Sequence, residues 1–236
     1  MQVLGYQQSP IQILTADSVP VVFGHDYLKF DYDGELDGLF KGDNFEFSKP
    51  SPGEDDTRWS ITVGGRRWII RKIHIHAPAE HKIDSVNPQP YEAHLLHSAA
   101  SDPDAKADKL VIAVFIVPHA KAGVKKSLTE LNRLLSQQKS QGGASNCQLE
   151  HKLDPGEFIP DAADRKVWFA YEGSLTSWPY SEDVSWIVFK EAVRVPLGEF
   201  GSIAECAEQE ERPVFPLNRR HVLRNVPAAR SKASKG

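Results

Sequence analysis

An excess of positive charge is absent from this chain of 236 residues, in which 28 Lys and Arg stand against 32 Asp and Glu for a formal net charge of −4. That balance removes the long-range attraction on which nucleic-acid binding depends, so no nucleic acid is expected as a partner. Cysteine is scarce. Cys147 and Cys206 allow at most one internal bridge, and their spacing resembles no Cys-x-x-Cys metal or redox site. Long apolar runs are missing too: no stretch approaches the roughly 18 residues of a membrane helix. Met1–Pro10 lacks the charged start and apolar run of a secretory signal. No membrane partner is therefore expected, and a cytoplasmic location is. What is present, 40% hydrophobic residues with 25% charged, describes a globular chain and excludes a disordered one. At about 150 residues per domain, the length allows one large domain or two small ones. The oligomeric state is left open.

The 16 glycines and 16 prolines are spread along the chain and punctuate short apolar runs, the pattern of a sheet-rich domain. Strands are expected at Ile11–Leu14, Asp43–Phe47, Trp59–Val63, Arg66–His76, Tyr91–His97, Leu110–Val117, Lys166–Glu172 and Val184–Val193. The segment Val124–Gln138 differs, because Val124, Leu128, Leu131 and Leu135 recur at helical spacing. Ser127 followed by Glu130 fits a capping box at its start, and Gly142-Gly143 fits its exit. The last residues, from Val226, carry Arg230, Lys232 and Lys235 among small side chains and read as a frayed basic tail.

Chemistry concentrates in the run Lys72-Ile73-His74-Ile75-His76-Ala77-Pro78-Ala79-Glu80-His81, where strand alternation puts His74 and His76 on one face. Two adjacent imidazoles are costly to bury unless something organises them, and a divalent metal bound by neutral ring nitrogens does so. A second strand, Tyr91–His97, puts Glu92, His94 and Leu96 on one face, and Asn87-Pro88-Gln89-Pro90 supplies a return loop between the two. If the strands are antiparallel neighbours, His94 completes a three-histidine set with one tetrahedral position open, the arrangement of a catalytic zinc. Glu92 is placed to orient His94 through its second nitrogen. His97 falls on the other face as a packed histidine, and His25, His119, His151 and His221 are expected at the surface.

Taken with Gly173-Ser174-Leu175-Thr176, the constellation resembles the alpha-class carbonic anhydrases, and the compact bacterial branch in particular. The matching pieces run nearly end to end and in order: Gln8-Ser9-Pro10-Ile11-Gln12-Ile13, His74-Ile75-His76 with Glu80-His81, and Glu92-Ala93-His94-Leu95-Leu96-His97. Gly173–Thr176, Val184-Ser185-Trp186-Ile187-Val188, Arg212-Pro213 and Asn218-Arg219 follow. The resemblance implies one mostly β (α+β) domain over residues 1–225, built on a large, mainly antiparallel twisted sheet with a few peripheral helices. It implies zinc on His74, His76 and His94, and reversible hydration of carbon dioxide to bicarbonate and a proton by zinc-bound hydroxide. Thr176 would relay a proton to an ionised Glu80, and Glu92 and Asn218 would support the ligands. Leu96, Val111, Leu175, Val184, Trp186 and Ser177 would form the substrate pocket.

Some residues depart from the family pattern. Lys41 stands at the usual place of a histidine proton shuttle, and a lysine of pKa near 10.4 shuttles poorly at neutral pH. Lys72 replaces a glutamine whose oxygen accepts the ligand's N–H, whereas an ammonium only donates. Leu96 is larger than the usual valine and narrows the pocket. Tyr180 occupies the place of a disulfide cysteine in secreted members, in keeping with a reducing compartment. Two other readings compete. His74, His76 and Glu80 also fit a cupin-type metal motif with iron or manganese, but that reading leaves Gly173–Thr176 unexplained. A catalytically impaired binding protein of the same family is the second.

Overall fold

The structure, a computed structural model, describes residues 5–42, 44–48, 59–85, 87–100, 108–140, 148–207 and 211–227. Its strands are β1 (Gln12–Ile13), β2 (Val19–Val21), β3 (Leu28–Tyr32), β4 (Leu36–Lys41), β5 (Asn44–Phe47), β6 (Trp59–Val63), β7 (Arg66–His76) and β8 (Lys82–Ile83). They continue as β9 (Tyr91–Ala99), β10 (Lys109–Pro118), β11 (Gln148–Leu153), β12 (Trp168–Gly173), β13 (Val184–Phe189), β14 (Val193–Val195) and β15 (Leu223–Asn225). Helices α1 (Lys126–Ser140) and α2 (Gly201–Ala204) lie outside the sheet. Thirteen strands form one open sheet in the order β11-β4-β5-β7-β9-β10-β13-β12-β15-β2, with β3, β6 and β14 attached beside that path. Most pairings are antiparallel, as expected, but β10 runs parallel to both β13 and β14. Among the described residues, no helix is long and apolar enough to cross a membrane.

Centrality in the sheet explains the composition of β10, an almost unbroken apolar run, since both of its faces are covered. Leu110, Ile112, Val114 and Ile116 belong to the larger core, together with Leu128, Leu131 and Leu135 of α1. Val111, Ala113 and Phe115 point the other way, into a smaller core with Ile11, Phe169, Tyr171 and Trp186. The same two faces run through β7, but with a change of parity. Trp68 and Ile70 lie in the larger core, as do Ile73 and Ile75. The switch from even to odd positions falls where the β7–β9 register slips between Ile70 and Lys72. A bulge at Arg71 thus turns Lys72, His74 and His76 onto the smaller core's side.

Several expectations need correction. The run Val184–Val193 is two strands, because β13 pairs with Lys109–Ala113 of β10, and β14 rejoins the same strand at Ile116. Strands β3, β4 and β11 were not foreseen; charged residues alternate through them, and β11 is an edge strand. Helix α1 starts at Lys126, and Val124 is exposed in the preceding loop. Its capping box does not form. Glu157, from the 3-10 turn Pro155–Phe158, accepts instead from the Ser127 N–H, the Ser127 hydroxyl and the Leu128 N–H at 3.2, 2.7 and 2.9 Å. Glu130 is engaged by Arg133 at 2.6 Å. His151 is half-buried, with Nε2 3.1 Å from the Ser127 carbonyl. Cys206 is disulfide-bonded. Cys147, Asp43, Gly142-Gly143 and the tail from residue 228 lie outside the described residues.

His97 is fully buried on the larger core's side, between the Tyr32 hydroxyl and the Leu110 carbonyl. Burial lowers its pKa to about 3. The unfolded chain protonates the same ring near pKa 6.5, so this contribution is complete above that value and is lost as pH falls toward 3. We expect the His97→Gln protein to lose about 2 kcal/mol less stability than the parent between pH 7 and pH 5, measured by urea denaturation. Glu157→Ala is expected to cost about 1–2 kcal/mol and Glu130→Ala less than about 0.5 kcal/mol in the same measurement.

Candidate metal centre

Antiparallel pairing of β7 with β9 sets His74 directly opposite His94, and His76 opposite Glu92. On the far side of β9, His94 is in register with Ala113 of β10, whose small side chain leaves room for the rings. His74 Nε2 lies 3.2 Å from His94 Nδ1. One ring nitrogen from each of His74, His76 and His94 falls within 4.8 Å of the others. Burial, reinforced by the neighbouring rings and by Lys72, holds the pKa of His74 well below the ordinary value. Burial does the same for His76. Both rings are therefore neutral and have lone pairs to offer.

Behind them stands a buried carboxylate. Glu92 Oε1 lies 2.9 Å from His94 Nε2 and 2.6 Å from His81 Nδ1, and Oε2 accepts the His81 backbone N–H at 2.8 Å. Burial alone would raise its pKa, but His81 and His94 outweigh burial and keep Glu92 ionised. The carboxylate leaves the proton of His94 on Nε2 and turns Nδ1 toward the other two rings. His81 Nε2 in turn meets the Tyr171 hydroxyl at 2.7 Å, and that hydroxyl reaches Ser9 Oγ at 3.0 Å.

The third wall is the loop after β12. Gly173 is dictated by close approach, since a Cβ there would lie 2.2 Å from Ser9 Oγ. Ser174 and Ser9 exchange hydrogen bonds between backbone N–H and hydroxyl at 2.9 and 3.1 Å, and the Trp186 indole donates to the Ser174 carbonyl at 3.0 Å. This clasp holds Thr176, whose hydroxyl is near enough to the Glu80 carboxylate to favour its ionised form. Glu80 also accepts the Arg212 backbone N–H at 3.1 Å, and its Oε2 lies 3.4 Å from His76 Nε2. Burial pushes the Glu80 pKa up to about 7. A cation held by the histidines would favour its ionised form.

A family model described as eukaryotic-type carbonic anhydrase matches residues 2–226. The chain belongs to this family. A carbonic anhydrase of Neisseria gonorrhoeae is 26% identical over 223 residues, which cover 93% of this chain and 77% of that protein. Among solved structures, the alpha-carbonic anhydrase of Thermovibrio ammonificans in complex with the inhibitor sulfanilamide superposes with a TM-score of 0.69. It is 27% identical over 93% of this chain and 87% of that one. Dioscorin complexed with ascorbate shares the fold, with a TM-score of 0.76 at 20% identity over 96% of this chain and 88% of that one.

Zinc is the family's metal, and the residues present fit it: three ring nitrogens from two strands converge, and His94 carries its orienting carboxylate. One feature of the usual support is missing. His74 Nδ1 is buried with no hydrogen-bond partner among the described residues, because Lys72, two residues earlier, donates to Asn44 Oδ1 at 3.2 Å and has nothing with which to accept.

The cavity beside the histidines, of about 120 Å³, is lined by the expected Leu96, Val111, Leu175, Ser177 and Trp186, together with Thr176, Lys72, Lys109 and Trp178. Three expected residues lie elsewhere. Val184 packs inside the smaller core and does not line the cavity. Asn218 is exposed in a turn at φ 49°, where its amide donates to the Tyr6 carbonyl at 2.9 Å; it supports the N-terminal segment and no metal ligand. Lys41 is exposed at the end of β4, one strand beyond β5, and does not reach the cavity. Three contributions escaped the sequence reading: the His81–Tyr171 link behind Glu92, the Arg212 backbone at Glu80, and the Ser9–Ser174 clasp. His81, Ser9, Ser174 and Arg212 all sit inside the quoted motifs, but only the fold pairs them. Glu92→Ala is expected to weaken zinc binding about 10- to 100-fold, measured by competition with a chelator. An unchanged affinity would show that His94 does not depend on this carboxylate.

Proposed function

We propose that this chain is an active carbonic anhydrase that hydrates carbon dioxide reversibly to bicarbonate and a proton with zinc held by His74, His76 and His94. The observation that carries this reading is that one ring nitrogen from each of His74, His76 and His94 lies within 4.8 Å of the others, while His74, His94 and Thr176 line one small cavity and the Glu80 carboxylate lies 3.4 Å from His76. When bound, zinc supplies a Lewis acid that brings the pKa of water toward neutrality, the known property of this enzyme class. The chain's own residues then act on geometry and protons. Thr176 donates a hydrogen bond from its hydroxyl to the ionised Glu80 carboxylate and so presents a lone pair to accept a hydrogen bond from an oxygen nucleophile at the site, which aims that oxygen. The Thr176 backbone N–H steadies the substrate oxygen as charge develops. Leu96, Val111, Leu175 and Trp186 give the apolar substrate a wall and keep water from it.

Proton export is the weak step in this arrangement. The only imidazoles lining the cavity among the described residues are two of the ligands, His74 and His94, and Lys41 lies away from it. The cupin alternative has no support in an open sheet of this order. The impaired-binder alternative has none in a complete histidine set. A disulfide at Cys206 favours an oxidising compartment over the cytoplasmic one.

The decisive experiment is a stopped-flow carbon dioxide hydration assay on zinc-loaded protein, and absence of hydration above the uncatalysed rate would overturn the proposal. Turnover is expected to rise with imidazole buffer concentration, and a flat response would show that protons leave by an internal route. Thr176→Ala is expected to retain zinc and lose activity on the order of 10²-fold. Loss of the metal from that variant would assign Thr176 a role in binding instead.

A further inference from the structure

Lys72 departs from the machinery just described in a way that the proposed chemistry leaves unused. It lies on the site face of β7, in register with Leu96, and lines the same cavity as His74, His94 and Thr176. Its ammonium donates to one neutral acceptor, Asn44 Oδ1, at 3.2 Å. Glu46 of β5 is its cross-strand partner, but no carboxylate comes within ion-pair distance of it among the described residues. The neighbouring cations are placed differently: Lys109 on the cavity wall is ion-paired with Asp183, Arg66 pairs with Asp108 at 2.8 Å, and Arg71 Nε donates to Ser98 Oγ at 2.7 Å.

We propose that Lys72 is an anion-holding residue, its ammonium taking up a small monoanion in the cavity beside the three histidines. That this anion is bicarbonate rests on the function proposed above; the anion site itself does not. Size agrees. A cavity of about 120 Å³ has room for a small monoanion. Charge discriminates as well, since an ammonium with protons to spare attracts a monoanion and gains nothing from neutral carbon dioxide. The residue is thus specific for the charged side of the reaction, and the His74 N–H is left without the acceptor a glutamine would offer.

The test begins with calorimetric titration of the metal-free protein with thiocyanate at low ionic strength. Lys72→Met is expected to weaken binding about tenfold, the low end of the range for a hydrogen bond to a charged group. Lys72→Arg should restore it, and Lys41→Met, at an exposed lysine, should leave it unchanged. Equal binding by the parent and Lys72→Met, or an equal loss in Lys41→Met, would overturn the proposal. In the zinc-loaded enzyme, the solution equilibrium ties the kcat/KM values of the two directions together. At imidazole concentrations high enough that proton transfer no longer limits turnover, a lost ground-state anion contact therefore raises KM and kcat for bicarbonate dehydration in parallel, whereas a damaged site lowers kcat. Thiocyanate binding that depends on Lys72 in a protein without hydration activity would sustain the anion site and defeat the proposed function.

Discussion

The register of one pair of strands controls this structure. His74 opposes His94 across β7 and β9, and every other feature of the centre presupposes that pairing. A slip of one residue would send the imidazoles into the apolar layer beneath α1, where nothing could satisfy their nitrogens. The bulge at Arg71 is part of the same constraint. Upstream of it, even-numbered positions of β7 belong to the larger core; downstream, they face the cavity. One inserted residue thus lets a single long strand serve the hydrophobic core at one end and the polar site at the other.

Electrostatics follow from that placement. The rings of His74 and His76 are buried and so kept neutral, which leaves them lone pairs to offer a metal. A buried carboxylate would normally be destabilising, yet Glu92 receives donors from His81 and His94 and stays charged. Glu80, with fewer donors, is pushed toward neutrality by the same burial. Two carboxylates on one side of the sheet are thereby separated in function, one fixing a ring and the other coupled to a hydroxyl. Lys72 adds a positive charge to this balance from the cavity side, where it opposes protonation of His74 and His76.

Much of the site was legible because strand alternation is a strict rule. The spacing of His74 with His76, and of Glu92 with His94, was enough to put four side chains on the right faces, and Leu96 came with them. Reading failed where the cause was not local. The helix cap is an example: Ser127 and Glu130 have the right spacing, but Glu157 from another turn outcompetes Glu130 for the free N–H groups. Val184 was assigned to the pocket from its motif, although its depth in the smaller core depends on how β12 and β13 pack. Asn218 carried a motif match whose physical role is to hold the N-terminal segment.

Residue order alone determined that a pair of histidines would sit on one strand face, that a carboxylate would back His94, and that α1 would pack by Leu128, Leu131 and Leu135. These are short-range consequences of backbone periodicity, and a chain cannot hide them. The tertiary structure alone decided which strands became neighbours and where the bulge fell. It also joined Ser9 to Ser174 across more than half the chain, and left Lys72 facing the cavity without an acid partner. Those outcomes depend on contacts between residues far apart in sequence, whose energies are set only when the sheet closes around them.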